Sequence, residues 1–248
     1  MKKSQLFKDL ANLLSILSLF CGFISVIFSL EKHFTFAAWA IILSAVFDGL
    51  DGQVARLNPV PSEFGKELDS LVDVVAFGIA PSILGYVFIY KEFQALATLS
   101  LFIYLACSVW RLAKYNITPK GEMPFNFIGL PTTASGGMLA SFVLIYRKQE
   151  DMLIPQFVPK ILSPEFTPLI FFLLVSILAL LMISRVPYLN LDGLKKMFGK
   201  KIPIIAFFLF AVVVACGIFS KAGVIVFSYF LIYLLFSPFV VKRLSTQK

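Results

Sequence analysis

The sequence predicts an all-α polytopic membrane protein of about eight transmembrane helices with both termini in the cytoplasm. Three observations carry this expectation. Hydrophobic residues make up 59% of the 248 positions and the mean hydropathy is +0.89, more apolar surface than one soluble core of this size can bury. Apolar stretches of spanning length recur from one end of the chain to the other. Lys and Arg fall in short clusters between them, much more on one side than on the other.

The stretches run over approximately residues 10–30, 34–57, 65–90, 93–115, 130–147, 167–184, 202–220 and 222–241. The first follows Lys2 and Lys3, as a signal peptide would, but its apolar part is too long and lacks a small-residue cleavage site, so a retained helix is expected. Pro59 and Pro61 between the second and third force a tight turn and make those helices antiparallel neighbours. Gly129-Leu130-Pro131 reads as a turn opening the fifth, where Ala134, Ser135, Gly136 and Gly137 should permit close helix packing. Phe stretches at Phe171 and Phe207 are expected to face lipid. The connections at 116–129, 148–166 and 185–201 are too short to be separate domains, so residues 1–248 form one integral membrane domain.

In this eight-helix arrangement 16 of the 22 Lys and Arg residues fall on one side. The other side receives Lys32, Lys91, Arg147, Lys148, Lys160 and Lys221. The positive-inside rule therefore places both termini in the cytoplasm of a cell membrane, together with the helix ends nearest Arg56 and Gly65. The net charge of +8 belongs to these clusters, including Lys195, Lys196, Lys200 and Lys201, and points to topology and anionic lipid, with no nucleic-acid partner. Cys21, Cys107 and Cys216 stand alone in apolar runs and read as packing residues, and His33 lies isolated in an outer loop.

Four aspartates interrupt two of these apolar helices. They are spaced D-x2-D-G-x2-A-R-x8-G-x3-D-x3-D, as Asp48, Asp51, Asp69 and Asp73. Carboxylates at membrane depth cost several kcal/mol each unless metal, partner charge or water satisfies them, so four together imply a site. Asp48, Asp51, Gly52 and Ala55 share one helical stripe, and Gly65, Asp69 and Asp73 share another on the antiparallel neighbour. The two acidic stripes can face each other near the cytoplasmic boundary. Oxygen donors without His or Cys suit hard divalent cations, Mg²⁺ or Mn²⁺, in an arrangement able to hold two ions. Gly52, Ala55 and Gly65 would let a phosphate-bearing substrate approach the backbone, with Arg56 and Lys66 supplying cations at the same level. A diphosphate held by two metals and open to attack on phosphorus is the chemistry this pattern serves.

The segment DGLDGQVARLNPVPSEFGKELDSLVD, residues 48–73, resembles the signature of the CDP-alcohol phosphotransferase family at every fixed position. FGKELDSLVDVVAFGIAPS, RLAKYN and FIGLP further resemble its integral-membrane phosphatidylserine synthases. The similarity covers about residues 8–186, a six-helix core, and leaves 187–248 as an additional helix pair of open role.

That resemblance implies transfer of a phosphatidyl group from CDP-diacylglycerol to an alcohol, with release of CMP. It implies that Asp48, Asp51 and Asp69 bind metal and that Asp73 lies near the second ion and serves as general base. Gly52, Ala55, Arg56 and Gly65 resemble nucleotide and diphosphate contacts. Asn12 and Ser15 sit where the family often has a Pro-Asn and a Ser/Thr, although Ala11 replaces the proline. A homodimer in membrane lipid is implied as well. L-serine as acceptor calls for a basic pocket, for which Arg111, Lys114 and Asn116 at the end of the fourth stretch are the candidates. The alternatives are a different acceptor such as glycerol 3-phosphate or inositol phosphate, an archaeal ether-linked donor and, from another class, a divalent-cation transporter.

Overall fold

A computed structural model of the chain describes residues 2–58, 62–89, 94–117, 126–151, 167–190 and 223–245. Its helices are α1 (Lys2–Leu30), α2 (Phe34–Leu57), α3 (Glu63–Asp73), α4 (Ala80–Ile89), α5 (Gln94–Ile117), α6 (Thr132–Asp151), α7 (Thr167–Ile183) and α8 (Gly223–Ser245). A π-helical turn, Val74–Ile79, joins α3 to α4 without a break. Among the described residues five helices are long and apolar enough to cross a membrane: Gln5–Leu30, Phe34–Leu57, Glu63–Ile89, Gln94–Ile117 and Gly223–Arg243. Thr132–Tyr146 and Thr167–Ile183 are apolar but shorter. The expected span at 202–220, the lysines at 195–201, Phe207, Cys216 and the Pro59/Pro61 turn lie outside the described residues.

Among the described residues the packing of α1 on α2 is the most extensive, and its cause is visible in the sequence. Ser15, Ser18, Gly22, Ser25 and Ser29 recur at three and four residues, which puts small side chains on one stripe of α1. All are buried. Small residues let two backbones approach, and hydroxyls then bond across the gap where lipid offers nothing better. The Ser18 and Ser44 hydroxyls lie 2.7 Å apart, and Ser25 Oγ donates to the Ala37 carbonyl at 2.9 Å. Gly22 meets the next helical unit closely, since a Cβ there would lie 2.8 Å from Ala76 Cα.

Three features differ from the sequence expectation. The all-α reading gains a short antiparallel ribbon, β1 (Asn126–Ile128) with β2 (Pro187–Leu189), in the register Phe127↔Tyr188. Two connectors meet at one end of the bundle, and pairing satisfies backbone groups that burial would otherwise strand. Gly129 leaves β1 with φ +80, and a Cβ at this position would overlap the Met182 carbonyl, so the turn requires glycine. The third apolar stretch, expected as one regular helix, contains the π turn directly after Asp73. Phe77 within that turn accepts a hydrogen bond from the Tyr104 hydroxyl at 3.0 Å. Finally Phe171, expected toward lipid, is fully buried against Gly85 and the rings of Phe88 and Phe142, with Phe172 buried beside it.

The small residues of α6 do permit close packing. Gly136 lies against Phe77, and Gly137 leaves the notch that seats the Phe230 ring of α8. Cys21 is buried and Cys107 half-buried, both as free thiols.

The glycines of α1 and α2 make opposite predictions. Gly22→Ala should cost about 1–3 kcal/mol through overpacking, read as a lower unfolding midpoint in detergent. Gly52→Ala should leave the midpoint level or raise it slightly, because a Cβ at Gly52 meets nothing within 4 Å. Equal behaviour of the two variants would contradict the close contact of α1 with the π turn at Ala76.

Candidate functional site

α2 and α3 carry the acidic stripes to one place. One carboxylate oxygen each from Asp48, Asp51 and Asp69 lie within 4.8 Å of one another. Asp51 is buried, and Asp48 and Asp69 are half-buried. Asp73, one turn beyond Asp69, is buried with its carboxyl against that of Asp48. Its Oδ1 has no hydrogen-bond partner, and its Oδ2 accepts from Thr132 Oγ1 at 3.5 Å. The sequence reasoning from helical stripes is thus realised in space: antiparallel neighbours bring carboxylates 18 to 25 positions apart into one cluster.

Hydroxyls from two other helices hold these acids. Ser15 Oγ of α1 donates to Asp51 Oδ2 at 2.7 Å, and Thr133 Oγ1 of α6 donates to Asp48 Oδ2 at 3.3 Å. The α1–α2 serine stripe places Ser15 for that contact. Thr132 and Thr133 went unread in the sequence. The signal was a pair of hydroxyls directly after Pro131 at the start of a helix, a pattern that helix capping explains equally well.

Asp48, Asp51, Asp69 and Asp73 line a cavity of about 390 Å³ that also takes in Gly52, Arg56, Lys66, Arg111 and Asn116. Gly52 faces open space there, so its lack of a side chain serves no packing purpose and leaves the backbone approachable. The other glycine acts differently. A Cβ on Gly65 would lie 3.2 Å from Asn12 Oδ1, so Gly65 admits the side chain of α1 against α3, and Asn12 reaches the site region by that contact. Ala55 is exposed on α2 and does not line the cavity.

The basic residues separate into two groups. Lys66 Nζ donates to the Asn116 carbonyl at 2.6 Å, while the Asn116 side chain is tied to Ser70 at 2.9 Å, joining α3 to the end of α5. Arg111 is buried, with Nη1 donating to Thr132 Oγ1 at 3.4 Å and its guanidinium 5.9 Å from the centre of the Phe127 ring. Its Nε has no partner. Lys114, one turn on, is exposed and lines a separate small cavity beside Arg111, with Trp110 and Ser184. Five residues from the C-terminal part also reach the main cavity, Leu189, Asn190, Tyr229, Phe230 and Tyr233.

This donor set fits divalent metal. Three converging carboxylates with oxygen donors only are the ligands hard cations take, and a fourth buried carboxylate with an unpartnered oxygen leaves capacity beside them.

Comparison with known proteins agrees with the geometry. The CDP-alcohol phosphatidyltransferase family model matches residues 8–165, which hold all four aspartates and Arg111. The chain belongs to this family. Relatives of this CDP-alcohol phosphatidyltransferase include the CDP-diacylglycerol–serine O-phosphatidyltransferase of Helicobacter pylori, 32% identical over 184 residues, 74% of this chain and 73% of that protein. The archaetidylserine synthase of Methanothermobacter thermautotrophicus is 32% identical over 195 residues, 78% of this chain and 75% of its own length. A CDP-diacylglycerol–serine O-phosphatidyltransferase of Methanocaldococcus jannaschii is 45% identical over 104 residues, 41% of this chain and 47% of that protein.

Mn²⁺ binding, followed by loss of the free-ion paramagnetic signal, checks the centre. Asp48→Asn, Asp51→Asn and Asp69→Asn should each weaken the ion by about tenfold or more, since each removes a charged ligand. Unchanged affinity in all three would remove the metal assignment.

Proposed function

We propose that this CDP-alcohol phosphatidyltransferase moves the phosphatidyl group of CDP-diacylglycerol to the hydroxyl of L-serine, forming phosphatidylserine and CMP. The observation that carries this reading is the meeting, in one cavity, of three clustered carboxylates with two buried and unpartnered groups of opposite charge, Asp73 Oδ1 and Arg111 Nε. An acceptor that satisfies both must donate a proton to one and present an anion to the other. Serine has a hydroxyl and a carboxylate. The relatives named above are serine transferases whether their lipid is diacyl or archaetidyl, which supports serine over a phosphorylated acceptor. A transporter reading has no such support.

Asp48, Asp51 and Asp69 would hold the first of two Mg²⁺ or Mn²⁺ ions, with Asp73 beside the second. Bound ions offset the negative charge that develops on the diphosphate as CMP departs. Asp73 takes the hydroxyl proton of serine as its oxygen attacks the phosphorus bearing the diacylglycerol. The bond from that phosphorus to the CMP oxygen breaks, and CMP leaves with the electron pair. No covalent intermediate on the protein is needed. Gly52 gives the diphosphate access to the α2 backbone, while Arg56 and Lys66 supply positive charge at the cavity. Ser15 and Asn12 act through the acids and α3, Ser15 by orienting Asp51 and Asn12 by seating against Gly65. Arg111 receives the serine carboxylate. Asn116 holds Lys66 in place, and Lys114 adds positive potential at the entrance without lining the cavity.

The same reading sets the protein in the cell membrane with about eight spans and both termini inside. Arg56, Lys66, Arg111 and Lys114 gather at the end of the bundle that carries the aspartates, and the α1–α2 turn at Lys32 and His33 is at the opposite end. By the positive-inside rule the aspartate end faces the cytoplasm, where soluble serine and CMP exchange freely. A homodimer belongs to this reading too, and crosslinking in native membranes tests it.

CMP release from CDP-diacylglycerol and serine by the purified protein tests the activity directly. Serine should be used, glycerol 3-phosphate and inositol phosphate should not, and release with either phosphate acceptor alone would overturn the assignment. An ether-linked CDP-lipid, supported as donor by the archaetidylserine synthase relative, is distinguished by comparing the two donors at equal concentration. Asp73→Asn should lower turnover by at least about a hundredfold while retaining CDP-lipid binding, because the base is lost and the shape kept. Thorough chelation should stop turnover and added Mg²⁺ or Mn²⁺ restore it; undiminished activity after chelation would refute the metal-assisted route.

A further inference from the structure

A threonine that opens a helix ordinarily caps it, its hydroxyl accepting from an amide of the first turn. Thr132, the first residue of α6, turns its hydroxyl elsewhere among the described residues: Oγ1 donates to Asp73 Oδ2 at 3.5 Å and accepts from Arg111 Nη1 at 3.4 Å. A hydroxyl has one proton and two lone pairs, so both bonds can form at once. The carboxyl and the guanidinium are thus joined through a single oxygen. Each keeps one buried atom without a partner, Asp73 Oδ1 and Arg111 Nε, and all three residues line the same cavity.

Thr132 is a fixed post. It is buried, and the chain on either side of it is held. Before it, Gly129 at φ +80 and Pro131 set the entry to α6, and the Leu130 amide donates to the Leu181 carbonyl at 3.0 Å. After it, Ser135 Oγ donates to the Thr132 carbonyl at 2.9 Å. The Tyr104 hydroxyl lies 2.9 Å from Ser135 Oγ and donates to the Phe77 carbonyl of the π turn that follows Asp73. The elements that carry the threonine and the aspartate are therefore tied a second time, away from the site. On its other side Arg111 lies against the Phe127 ring, 5.9 Å from the centre. A rigid oxygen between a base and a cation sets how far apart the free oxygen of one and the free nitrogen of the other stand.

We infer that Thr132 is a positioning residue that spaces the base from the anion seat, so that the cavity selects its acceptor by the number of carbons between hydroxyl and carboxylate. The inference rests on the serine reading above and deepens it. Homoserine carries the same hydroxyl, ammonium and carboxylate as serine, with one methylene more between the first and the last. A seat of fixed span favours the shorter molecule, and one methylene is enough for discrimination of about tenfold or more.

The test uses the full-length protein, measuring CMP release with serine and with homoserine as acceptors. Thr132→Val keeps the shape of the side chain and removes both hydrogen bonds. It should raise KM for serine about tenfold, leave KM for CDP-diacylglycerol within about twofold, and cut the serine-over-homoserine preference about tenfold. Thr132→Ser retains the hydroxyl and should keep that preference within about threefold of wild type. Thr133→Val loses only the bond to Asp48 and should lower turnover with both acceptors alike. Mn²⁺ binding identifies folded protein, and Thr132→Ala supplies a second variant without the hydroxyl should Thr132→Val fail to hold the ion. Equal use of both acceptors by the wild type, an unaltered preference in the variants without the hydroxyl, its loss in Thr132→Ser, or an equal shift in Thr133→Val overturns the inference while leaving serine transfer intact. Wild-type protein that releases no CMP with serine overturns the serine reading itself, and this inference with it.

Discussion

Mutual repulsion among carboxylates held in an apolar bundle is the constraint on which the rest of the structure depends. Asp48, Asp51 and Asp69 bring like charges within 4.8 Å, and Asp73 adds a fourth against Asp48. Burial strips water from such groups, so the cluster is tolerable only with cations and directed hydroxyls around it. Three helices besides α2 and α3 contribute to that end. α1 gives Ser15, α6 gives Thr132 and Thr133, and α5 gives Arg111.

Holding repelling groups together requires a stiff frame, and the frame is built from close contacts rather than large side chains. The serine and glycine stripe of α1 lets α2 approach until Ser18 and Ser44 bond, which fixes Ser15 over Asp51. Gly22 and Gly136 admit Ala76 and Phe77 of the π turn from two sides. The turn itself follows Asp73 directly, and the Phe77 carbonyl it presents is taken up by Tyr104, whose hydroxyl lies 2.9 Å from Ser135. The widened turn begins only after Asp73, so it leaves the Asp69–Asp73 step regular and changes where the residues beyond it sit relative to the acids, and such turns recur at functional sites.

The cavity has two chemical ends. Toward α2 and α3 it is acidic, glycine-lined and suited to metal and diphosphate; toward α5, β2 and α8 it carries a buried guanidinium and tyrosines suited to a small zwitterion. Arg111 joins the ends, since it shares Thr132 with Asp73 and lies against the Phe127 ring of β1. In the proposed reaction a base and an anion seat on one connected network would hold an amino-alcohol in a single orientation, the geometric requirement for attack on phosphorus.

By itself the sequence determined the acidic centre, because the relevant periodicities are local. Asp48 with Asp51, and Asp69 with Asp73, share helical faces by spacing alone, and the short connection between their helices leaves antiparallel packing as the available arrangement. Apolar stretches likewise foretold the described helices to within a few residues, apart from the basic first turns that extend α1 back to Lys2. Tertiary structure alone decided what meets across long separations: Thr132 and Thr133 on the aspartates, the Phe127–Tyr188 ribbon, the burial of Phe171 and the return of Tyr233 to Leu189. None of these leaves a periodic trace. A threonine after proline, an isolated tyrosine in an apolar helix and a phenylalanine among phenylalanines look alike whether they face lipid or a neighbour, and only the packing of distant segments tells them apart.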